Sequence, residues 1–316
     1  MSQIISWQQY TLVLPIKINA HNTDNLQRFI QIQLRSLNKF LDVSSLYEFI
    51  IICKENEENI IQQELAKHCS PLPIRLIPEN SLVKKIVISK ISGWSLQQLI
   101  KLGVSRLIKT PLYLVLDADC FLTKNFSYEN LFHQNKILIN TQSWMAHPEW
   151  WLASREIIEE VTVTKIGSAP VMWVTPQILV TDIVCELIDN LSQKDEPLRW
   201  DEYLSDKLFT EFTLYWLFLL KTNRTDMYQL YDSEKVLLDN AIWKSHWENW
   251  STLTWLLKNL LSNNHRKKSR LKNAIISLQI KTAFESNDRF YFSLIQSNIK
   301  DISIESLIEE TNKYLS

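Results

Sequence analysis

Glycine is scarce in this chain, and its scarcity excludes some kinds of binding site. Only three of the 316 residues are glycine, at positions 93, 103 and 167. Neither the dinucleotide-binding fingerprint nor the Walker motif is present, and both need a glycine-rich loop around a phosphate. If the protein binds a nucleotide, we therefore expect a metal ion and side chains to hold the phosphates.

Paired cysteines and long apolar runs are also absent. Cys53, Cys69, Cys120 and Cys185 lie far apart. Two of them lie in apolar segments, which predicts reduced core thiols in a reducing compartment. The longest apolar stretch, Phe212–Leu220, is far shorter than the roughly 18 residues of a membrane span. Because the N-terminus does not have the pattern of a signal peptide, we predict a cytoplasmic protein.

Neither charge nor composition indicates a nucleic-acid partner. The formal net charge is −1 and the pI is about 6.6, so no strong field would attract nucleic acid. Hydrophobic residues make up 46% of the chain, which is enough for a large core. No repeat or flexible linker divides the sequence, and we predict a single domain over residues 1–316.

The stretch Tyr113–Phe121 carries most of the predicted chemistry. An apolar strand-like segment ends there in Asp117-Ala118-Asp119. In an extended chain alternate side chains share a face, which would place the two carboxylates about 7 Å apart on one side. Neighbouring buried anions need a compensating positive charge. A divalent cation that also carries substrate phosphates fits, and an ordinary Asp-rich turn is the alternative.

The first half of the chain alternates apolar strands with helices. Alternation of this kind predicts a layered α/β sheet, with ligands bound beyond the carboxyl ends of the strands. The predicted strands are Tyr10–Ile16, Glu48–Cys53 and Ile74–Ile77. The predicted helices begin near Asp24, Glu57 and Trp94.

The second half is richer in aromatic residues. We predict a loop over Ser143–Trp151, a strand over Ala169–Val174, and a helix that starts at Thr175-Pro176. A further helix is predicted from about Thr210 to Leu220, and the end of the chain is expected to be helical. Asn240–Trp255, which lies between these two helical regions, contains four tryptophans and His246.

Several segments, taken in order, resemble a known group of enzymes. The chain resembles the GT-A class of nucleotide-sugar-dependent glycosyltransferases. It is most similar to a bacterial glycosyltransferase-like family described as a domain of unknown function. The segments are Gly93-Trp94, Gln97-Gln98, Lys101-Leu102, Tyr113–Asp119, Thr210-Glu211-Phe212 with Tyr215, and, less distinctively, Ile295–Asn298.

The resemblance implies a GT-A-like fold with a central mixed, mostly parallel sheet flanked by helices and followed by a C-terminal helical extension. The core would span about residues 10–298, with a donor-binding half at 10–125, an acceptor-side half at 126–298 and a helical tail at 299–316. The implied activity is metal-dependent transfer of a sugar from a nucleotide-diphosphate donor. The acceptor could be a glycan, a lipid or a small molecule.

The resemblance also implies roles for particular residues. The metal, Mn²⁺ or Mg²⁺, would be bound by Asp117 and Asp119. A histidine from the C-terminal part often completes such a site, and we choose His246 because imidazole suits manganese. A histidine packed among tryptophans is the alternative for His246. The expected donor-binding positions are Pro15, Gln97, Gln98, Lys101, Asp117, Ala118 and Asp119.

Glu211 is the predicted catalytic base, with Asp117 as the second catalytic residue. An inverting transfer needs a carboxylate to accept the proton of the acceptor hydroxyl. A helix N-terminus would lower the pKa of Glu211, whereas desolvation would raise it. A carboxylate that only complements the helix terminus is the alternative, and Asp201 and Glu202 are reserve candidates. The motifs do not distinguish inversion from retention.

Two further groups of side chains have both functional and ordinary interpretations. Gln97 and Lys101 share a helix face, where Lys101 could meet phosphate or simply be solvated. The aromatic loop could stack on a sugar ring, although ordinary packing is the simpler account. Its candidate residues are Trp144, His147, Trp150 and Trp151.

Three other functions fit parts of the sequence. A non-catalytic sugar-binding or nucleotide-binding relative would keep the fold without turnover. A phosphatase of the haloacid dehalogenase type also places Asp-x-Asp after a strand, but nearer the start of the chain. Finally, Trp243, Trp247 and Trp250, followed by a basic cluster at residues 266–270, suggest weak peripheral contact with an anionic membrane.

Overall fold

A five-stranded sheet forms the centre of the computed structural model. The strands of the protein are β1 Tyr10–Pro15, β2 Leu46–Cys53, β3 Ile74–Pro78, β4 Leu112–Val115, β5 Cys120–Leu122, β6 Phe132–His133, β7 Lys136–Ile137, β8 Thr141–Gln142, β9 Val171–Met172, β10 Gln177–Val180, β11 Val236–Ile242 and β12 Phe290–Ile295. The strand order in the central sheet is β10-β4-β1-β2-β3, in which β1 to β4 are mutually parallel and β10 is antiparallel to β4.

The structure describes residues 9–18, 24–159, 161, 166–167, 170–193, 199–229, 236–242, 276–285, 290–295 and 303–316. Its helices are α1 Asp24–Arg28, α2 Arg35–Phe40, α3 Glu58–Ala66, α4 Lys85–Ile88, α5 Gly93–Gly103, α6 Pro148–Ile158, α7 Thr181–Ser192, α8 Trp200–Leu204, α9 Glu211–Lys221 and α10 Ile304–Leu315. A π-helical segment, Phe29–Leu34, joins α1 to α2, and residues 276–285 are also helical.

The central strands are buried because helices flank the sheet. Every residue of β1 and β4 is buried, and such strands are continuous apolar runs rather than alternating ones. The predicted layered α/β fold with a mostly parallel central sheet is confirmed. The three strands predicted in the first half are also confirmed, with ends within two residues of those expected.

A second sheet lies next to the acidic turn. It has three strands in the order β11-β12-β5, with β11 parallel and β5 antiparallel to β12. Strands β4 and β5 belong to different sheets and are separated only by residues 116–119. The Asp-x-Asp sequence therefore lies at the connection between the two sheets.

Two predictions for the second half are wrong in detail. The helix predicted from Thr175-Pro176 begins only at Thr181, because Gln177–Val180 pairs with β4 as the edge strand of the central sheet. Most of the loop predicted over Ser143–Trp151 is helical, since a 3₁₀ turn covers Trp144–Ala146 and α6 begins at Pro148. Proline is favoured in the first turn of a helix because its missing N–H has no partner to lose there.

Two of the four cysteines are buried in the core, as their apolar sequence context predicts. Cys53 and Cys120 are buried free thiols, and burial raises the pKa of Cys53 to about 12. Among the described residues, no helix is long and apolar enough to cross a bilayer. The tryptophans at 243, 247 and 250 and the basic cluster at 266–270 lie outside the described residues.

Candidate active site

A buried lysine brings two predicted carboxylates together. Lys101 lies in the last turn of α5, and its side chain is only 4% exposed. Its Nζ lies 3.0 Å from Oδ1 of Asp117 and 3.0 Å from Oε1 of Glu211. The interpretation of Lys101 as a solvated surface residue is therefore wrong. A lysine on this face of α5 is stable in the interior because two carboxylates compensate its charge.

The local electrostatics keep the Lys101 ammonium charged. Burial by itself would lower its pKa, but attraction to Asp117 and Glu211 raises the pKa above the ordinary value. The ammonium also makes a cation–π contact, since Nζ lies 5.7 Å from the centroid of the Phe212 ring. The result is a fixed positive charge between two acids.

Asp117 is held in one orientation by side chains from three parts of the chain. Lys101 contacts its Oδ1, and the hydroxyl of Thr175 donates a hydrogen bond of 2.5 Å to its Oδ2. Gln33 donates from Nε2 to its backbone carbonyl at 2.9 Å. The Asp117 side chain remains 36% exposed. It is therefore both positioned and accessible from the cavity described below.

The acidic pair lies in a turn rather than in an extended strand. Strand β4 ends at Val115, and the N–H of Cys120 donates to the carbonyl of Asp117 at 3.0 Å. The expectation that Asp117 and Asp119 project from one face of a strand is therefore wrong. A turn is needed here because the chain must leave the first sheet and enter the second within four residues.

Asp119 lies beside a buried arginine. Arg28 is 4% exposed, and its Nη1 donates to the carbonyl of Ile295 at 3.1 Å. Burial lowers the pKa of Arg28, while attraction to Asp119 and Asp24 opposes that shift. Asp119 is also fixed through its backbone, since its carbonyl accepts a hydrogen bond of 3.2 Å from the N–H of Ile295.

Glu211 occupies the first turn of α9, where it is 2% exposed. Thr210 caps the helix by accepting a hydrogen bond of 3.1 Å from the N–H of Thr213. The N–H of Glu211 donates to Oε1 of Gln98 at 3.3 Å. Burial raises the pKa of Glu211 above its ordinary value, and Lys101 offsets only part of that shift. In this carboxyl the effect of desolvation on the pKa therefore outweighs the attraction to Lys101.

The three charged side chains line a cavity of about 160 Å³. This volume is below the roughly 300–1,000 Å³ of sites that enclose a whole small-molecule ligand. The cavity can therefore enclose only part of a larger ligand. Its other walls carry indole rings and neutral polar groups, from Trp94, Trp150, Trp151, Trp173, Gln97 and Gln142.

The predicted aromatic platform is only partly assembled. Trp150 lies in the cavity wall and stacks on His147, with ring centroids 4.1 Å apart. Trp151 also reaches the cavity but is 1% exposed and belongs to the core. Trp144 donates from Nε1 to the carbonyl of Gly167 at 2.9 Å and lies outside the cavity wall.

The structure brings together most of the side chains that the sequence singled out. Gln97, Gln98, Lys101, Asp117 and Glu211 all line the one cavity. Pro15 is buried at the end of β1, and neither it nor Ala118 or Asp119 belongs to the cavity wall. His246 lies outside the described residues, so its role stays a prediction.

Thr175 and Trp173 belong to the cavity wall but were missing from the predicted site. The sequence pattern at Thr175-Pro176 predicts only the start of a helix and assigns the Thr175 hydroxyl no role in the site. The segment that carries Thr175 is held in place by hydrogen bonds between Gln177 and Asn140. Gln177 donates from Nε2 to the backbone carbonyl of Asn140 at 2.7 Å. Asn140 in turn donates to the carbonyl of Pro176 at 2.6 Å. No local pattern indicates such a long-range pair.

The reserve candidates Asp201 and Glu202 have structural partners instead. The Asp201 side chain is fully buried and ion-paired with Arg199 at 2.5 Å. Glu202 lies 2.6 Å from Nζ of Lys84. In the described residues, no group of three or more His, Cys, Asp or Glu side chains could hold a metal ion. Any cation at the acidic turn would therefore need further oxygen ligands.

Comparison with known proteins gives a family and a set of similar folds. The model of a family of unknown function, DUF6492, matches residues 7–316. None of the curated proteins matches the chain.

The solved structures that resemble this chain include glycosyltransferases. Mouse xyloside xylosyltransferase 1 in its apo form has a TM-score of 0.47 and 13% identity, over 78% of this chain and 92% of that one. The galactosyltransferase LgtC, in complex with donor and acceptor sugar analogs, has a TM-score of 0.47 and 8% identity, over 96% and 95%. The glycosyltransferase GlyE of Streptococcus pneumoniae has a TM-score of 0.43 and 10% identity, over 97% and 62%.

Proposed function

This chain belongs to the DUF6492 family, and we propose that it is a glycosyltransferase that uses a nucleotide-diphosphate sugar as donor. One observation carries the proposal. A buried Lys101 joins Asp117 and Glu211 on the wall of an indole-lined cavity near the carboxyl end of β4. Ligands of open α/β sheets bind at such ends.

The composition of the cavity wall suits a sugar. A pyranose ring has apolar C–H faces and a rim of hydroxyl groups, so it needs both flat apolar surfaces and hydrogen-bonding partners. Indole rings offer the first, while carboxylate and amide side chains offer the second. The indole rings of the wall provide the flat surfaces here, and Asp117, Gln97 and Gln142 provide polar groups.

Lys101 and Asp117 would orient the transferred sugar. The ammonium of Lys101 is fixed by two ion pairs, and Asp117 is held by Lys101 on one side and Thr175 on the other. Groups that are already fixed in position lose little freedom when they meet a substrate. The 36% exposed Asp117 carboxylate is accessible to a sugar hydroxyl or a bound cation.

Glu211 is the proposed general base. It lines the cavity, and burial raises its pKa toward the range in which a carboxylate accepts a proton effectively. In the proposed step the acceptor hydroxyl oxygen bonds to the anomeric carbon of the donor sugar. The bond from that carbon to the diphosphate oxygen breaks, the diphosphate leaves with the electron pair, and the hydroxyl proton passes to Glu211.

The acidic turn is chemically suited to a divalent cation. Carboxylate oxygens are hard ligands, and Mg²⁺ is often bound by one or two carboxylates together with substrate phosphates. Asp117 and Glu211 share the positive charge of Lys101, and Asp119 and Asp24 share that of Arg28, so the carboxylates outnumber the cations. We therefore propose Asp117 and Asp119 as the residues that would hold Mn²⁺ or Mg²⁺. When bound, the cation would supply charge neutralisation for the departing diphosphate.

A thermal-shift screen of nucleoside diphosphates and nucleotide-sugars, each with and without Mn²⁺, tests the proposal. A ligand that binds only the native state stabilises it by about 2.7 kcal/mol at a hundred times its dissociation constant. We expect a shift that needs Mn²⁺ and is lost in Asp119→Ala. Asp206→Ala is the matched control, because the Asp206 side chain is 84% exposed and lies outside the cavity wall.

Two results would contradict the proposal. Absence of a shift with every nucleotide would refute the donor assignment, and an equal shift in Asp119→Ala would refute the role of the turn in cation binding. Hydrolysis of the nucleotide-sugar that gives the largest shift would then separate a transferase from a non-catalytic binding protein. A transferase should hydrolyse the donor slowly in water, whereas a binding protein should leave it intact.

A further inference from the structure

Two indole rings lie side by side in the cavity wall. Trp94, in the first turn of α5, is 43% exposed and also lines the cavity. Its ring centroid lies 5.9 Å from that of Trp150, with an angle of 33° between the ring planes. Trp150 is half-buried. Large aromatic side chains are usually buried, so an exposed indole beside a second one in a cavity wall suggests a ligand surface.

The Trp150 ring is held in place by a stacked histidine. Trp150 stacks on His147 with an interplanar angle of 16°, and His147 precedes the first residue of α6. Nδ1 of His147 lies 3.6 Å from Oε1 of Glu149. The orientation of Trp150 is therefore fixed by its own helix terminus, while Trp94 projects from a different helix.

Helix α5 connects this aromatic side of the cavity to the ionic cluster. Trp94, Gln97, Gln98 and Lys101 all line the cavity. From residue 94 to residue 101 an α-helix rises about 10 Å, which is comparable to the length of a disaccharide. If a donor sugar lies at Lys101, the next sugar ring along the same wall would reach Trp94.

We infer that Trp94 and Trp150 form an acceptor subsite that binds a sugar ring, so that the acceptor is a glycan or another glycoside. This inference rests on the proposed function, because it needs a donor sugar at Lys101. The polar groups beside the rings favour a sugar over a lipid chain. Gln97 and Gln142 line the same cavity, and burying such amides against hydrocarbon would leave their hydrogen bonds unmade.

Saturation-transfer NMR with the full chain tests the subsite. The probes are a pool of methyl glycosides of glucose, galactose, mannose and N-acetylglucosamine, together with their common disaccharides. We expect at least one probe to bind, and we expect Trp94→Ala and Trp150→Ala to weaken its binding at least tenfold. Trp144→Ala is the matched control, since Trp144 lies on the same segment but outside the cavity wall, and it should bind as the wild type does.

Nucleoside-diphosphate binding, measured on the same variants, separates this inference from the proposed function. Trp94→Ala should keep the wild-type thermal shift with nucleoside diphosphate and Mn²⁺. If the wild type gives that shift but binds no glycoside, or if Trp94→Ala binds glycosides normally, the acceptor subsite is refuted and the donor assignment stands. Loss of the nucleotide shift in Trp94→Ala would instead assign the rings to the donor and also refute the subsite.

Two further outcomes are decisive. Glycoside binding that depends on Trp94, with no nucleotide shift in the wild type, would refute the transferase and with it the acceptor role of the rings. Binding of phosphatidylcholine vesicles that depends on Trp94, without binding of any glycoside, would show a lipid surface and would refute the inference.

Discussion

Two buried acids of this protein differ in the hydrogen-bond donors that surround their carboxylates. Asp201 receives hydrogen bonds from Nε and Nη2 of Arg199, at 2.6 and 2.5 Å, and from the N–H of Lys84 at 2.8 Å. Burial alone would raise its pKa, but these donors outweigh burial and the pKa of Asp201 is lowered. Glu211 is buried to a similar degree against Lys101, yet its pKa is raised.

This difference indicates which acid is structural and which is available for chemistry. The Arg199–Asp201 pair joins the start of α8 to the segment before α4, and Asp201 does not line the cavity. Glu211 lines the cavity and shares its lysine with Asp117. Where hydrogen bonds outweigh burial, the pKa falls and the carboxylate stays ionised. Where burial outweighs the ion pair, the pKa rises and the carboxylate accepts a proton more readily.

Removal of the shared lysine should give the largest effect. Lys101→Met leaves Asp117 and Glu211 without their cation, and breaking a buried pair in this way typically lowers the free energy of unfolding by about 3–5 kcal/mol. Urea denaturation at pH 8 measures the loss. Lys85→Met is the control, because Lys85 and its partner Glu55 are both largely exposed, and it should change stability by about 0.5 kcal/mol or less.

A loss in Lys101→Met that matches the Lys85→Met control would contradict the buried ion cluster. The double variant Lys101→Met with Glu211→Gln should recover part of the stability, since it also removes the uncompensated charge. It should not recover donor hydrolysis, because the proposed base Glu211 and the lysine proposed to orient the sugar are both replaced.

A smaller effect is expected at the structural pair. Asp201→Asn replaces one of the two accepting carboxylate oxygens by an NH₂ group, which cannot accept the hydrogen bonds that Arg199 and the backbone N–H groups donate. Hydrogen bonds to charged groups contribute about 1.5–3 kcal/mol, and the 40% exposed Arg199 can regain water. We expect a loss in that range at pH 7 and an unchanged nucleotide shift in the folded fraction. A lost nucleotide shift in a folded variant would contradict the structural role.

The pH dependence of this loss has a defined sign. Because the folded-state pKa of Asp201 is lowered, its stabilisation is present above the unfolded value near 3.8 and disappears as the pH falls through the folded value. The wild type and Asp201→Asn should therefore converge in stability below about pH 4. A difference that stayed constant with pH would mean that the lost stability does not come from the carboxylate charge.

Glu211→Gln should show the opposite pH dependence. Since burial raises the pKa of Glu211, its ionisation opposes folding as the pH rises from the unfolded value near 4.5 through the folded value. The wild type should lose stability relative to Glu211→Gln over that window. Chemical denaturation at several pH values measures this trend, and a trend of the same sign as for Asp201→Asn would remove the contrast between the two acids.

The smallest effect is expected at Thr175. Thr175→Val keeps the shape of the side chain but removes the hydrogen bond to Oδ2 of Asp117. One such bond to a partly exposed carboxylate should contribute about 1 kcal/mol to the free energy of unfolding. Donor hydrolysis should fall less than in Lys101→Met. Thr282→Val, which removes a surface hydrogen bond within a helix, is the control, and an equal effect in both variants would contradict a positioning role.

The sequence predicted the site unevenly, and the reason is physical. Apolar runs and helix caps are local signals, so the strands before Asp117 and the start of α9 at Glu211 were predicted correctly. The burial of Lys101 was not, because it depends on two carboxylates from distant parts of the chain. The strand at Gln177–Val180 was missed for a similar reason, since its pairing with β4 overrides a local helix-start signal.

Local composition by itself determined that this chain forms alternating strands and helices around an apolar sheet, and that an acidic pair follows one of the central strands. It also placed Gln97, Gln98 and Lys101 on one helix. Only the tertiary structure decided that Lys101 is an interior cation and that the acidic pair is a turn between two sheets. These features depend on long-range contacts such as the ion pair between Lys101 and Glu211, and no short-range pattern encodes a charge partner from so distant a part of the chain.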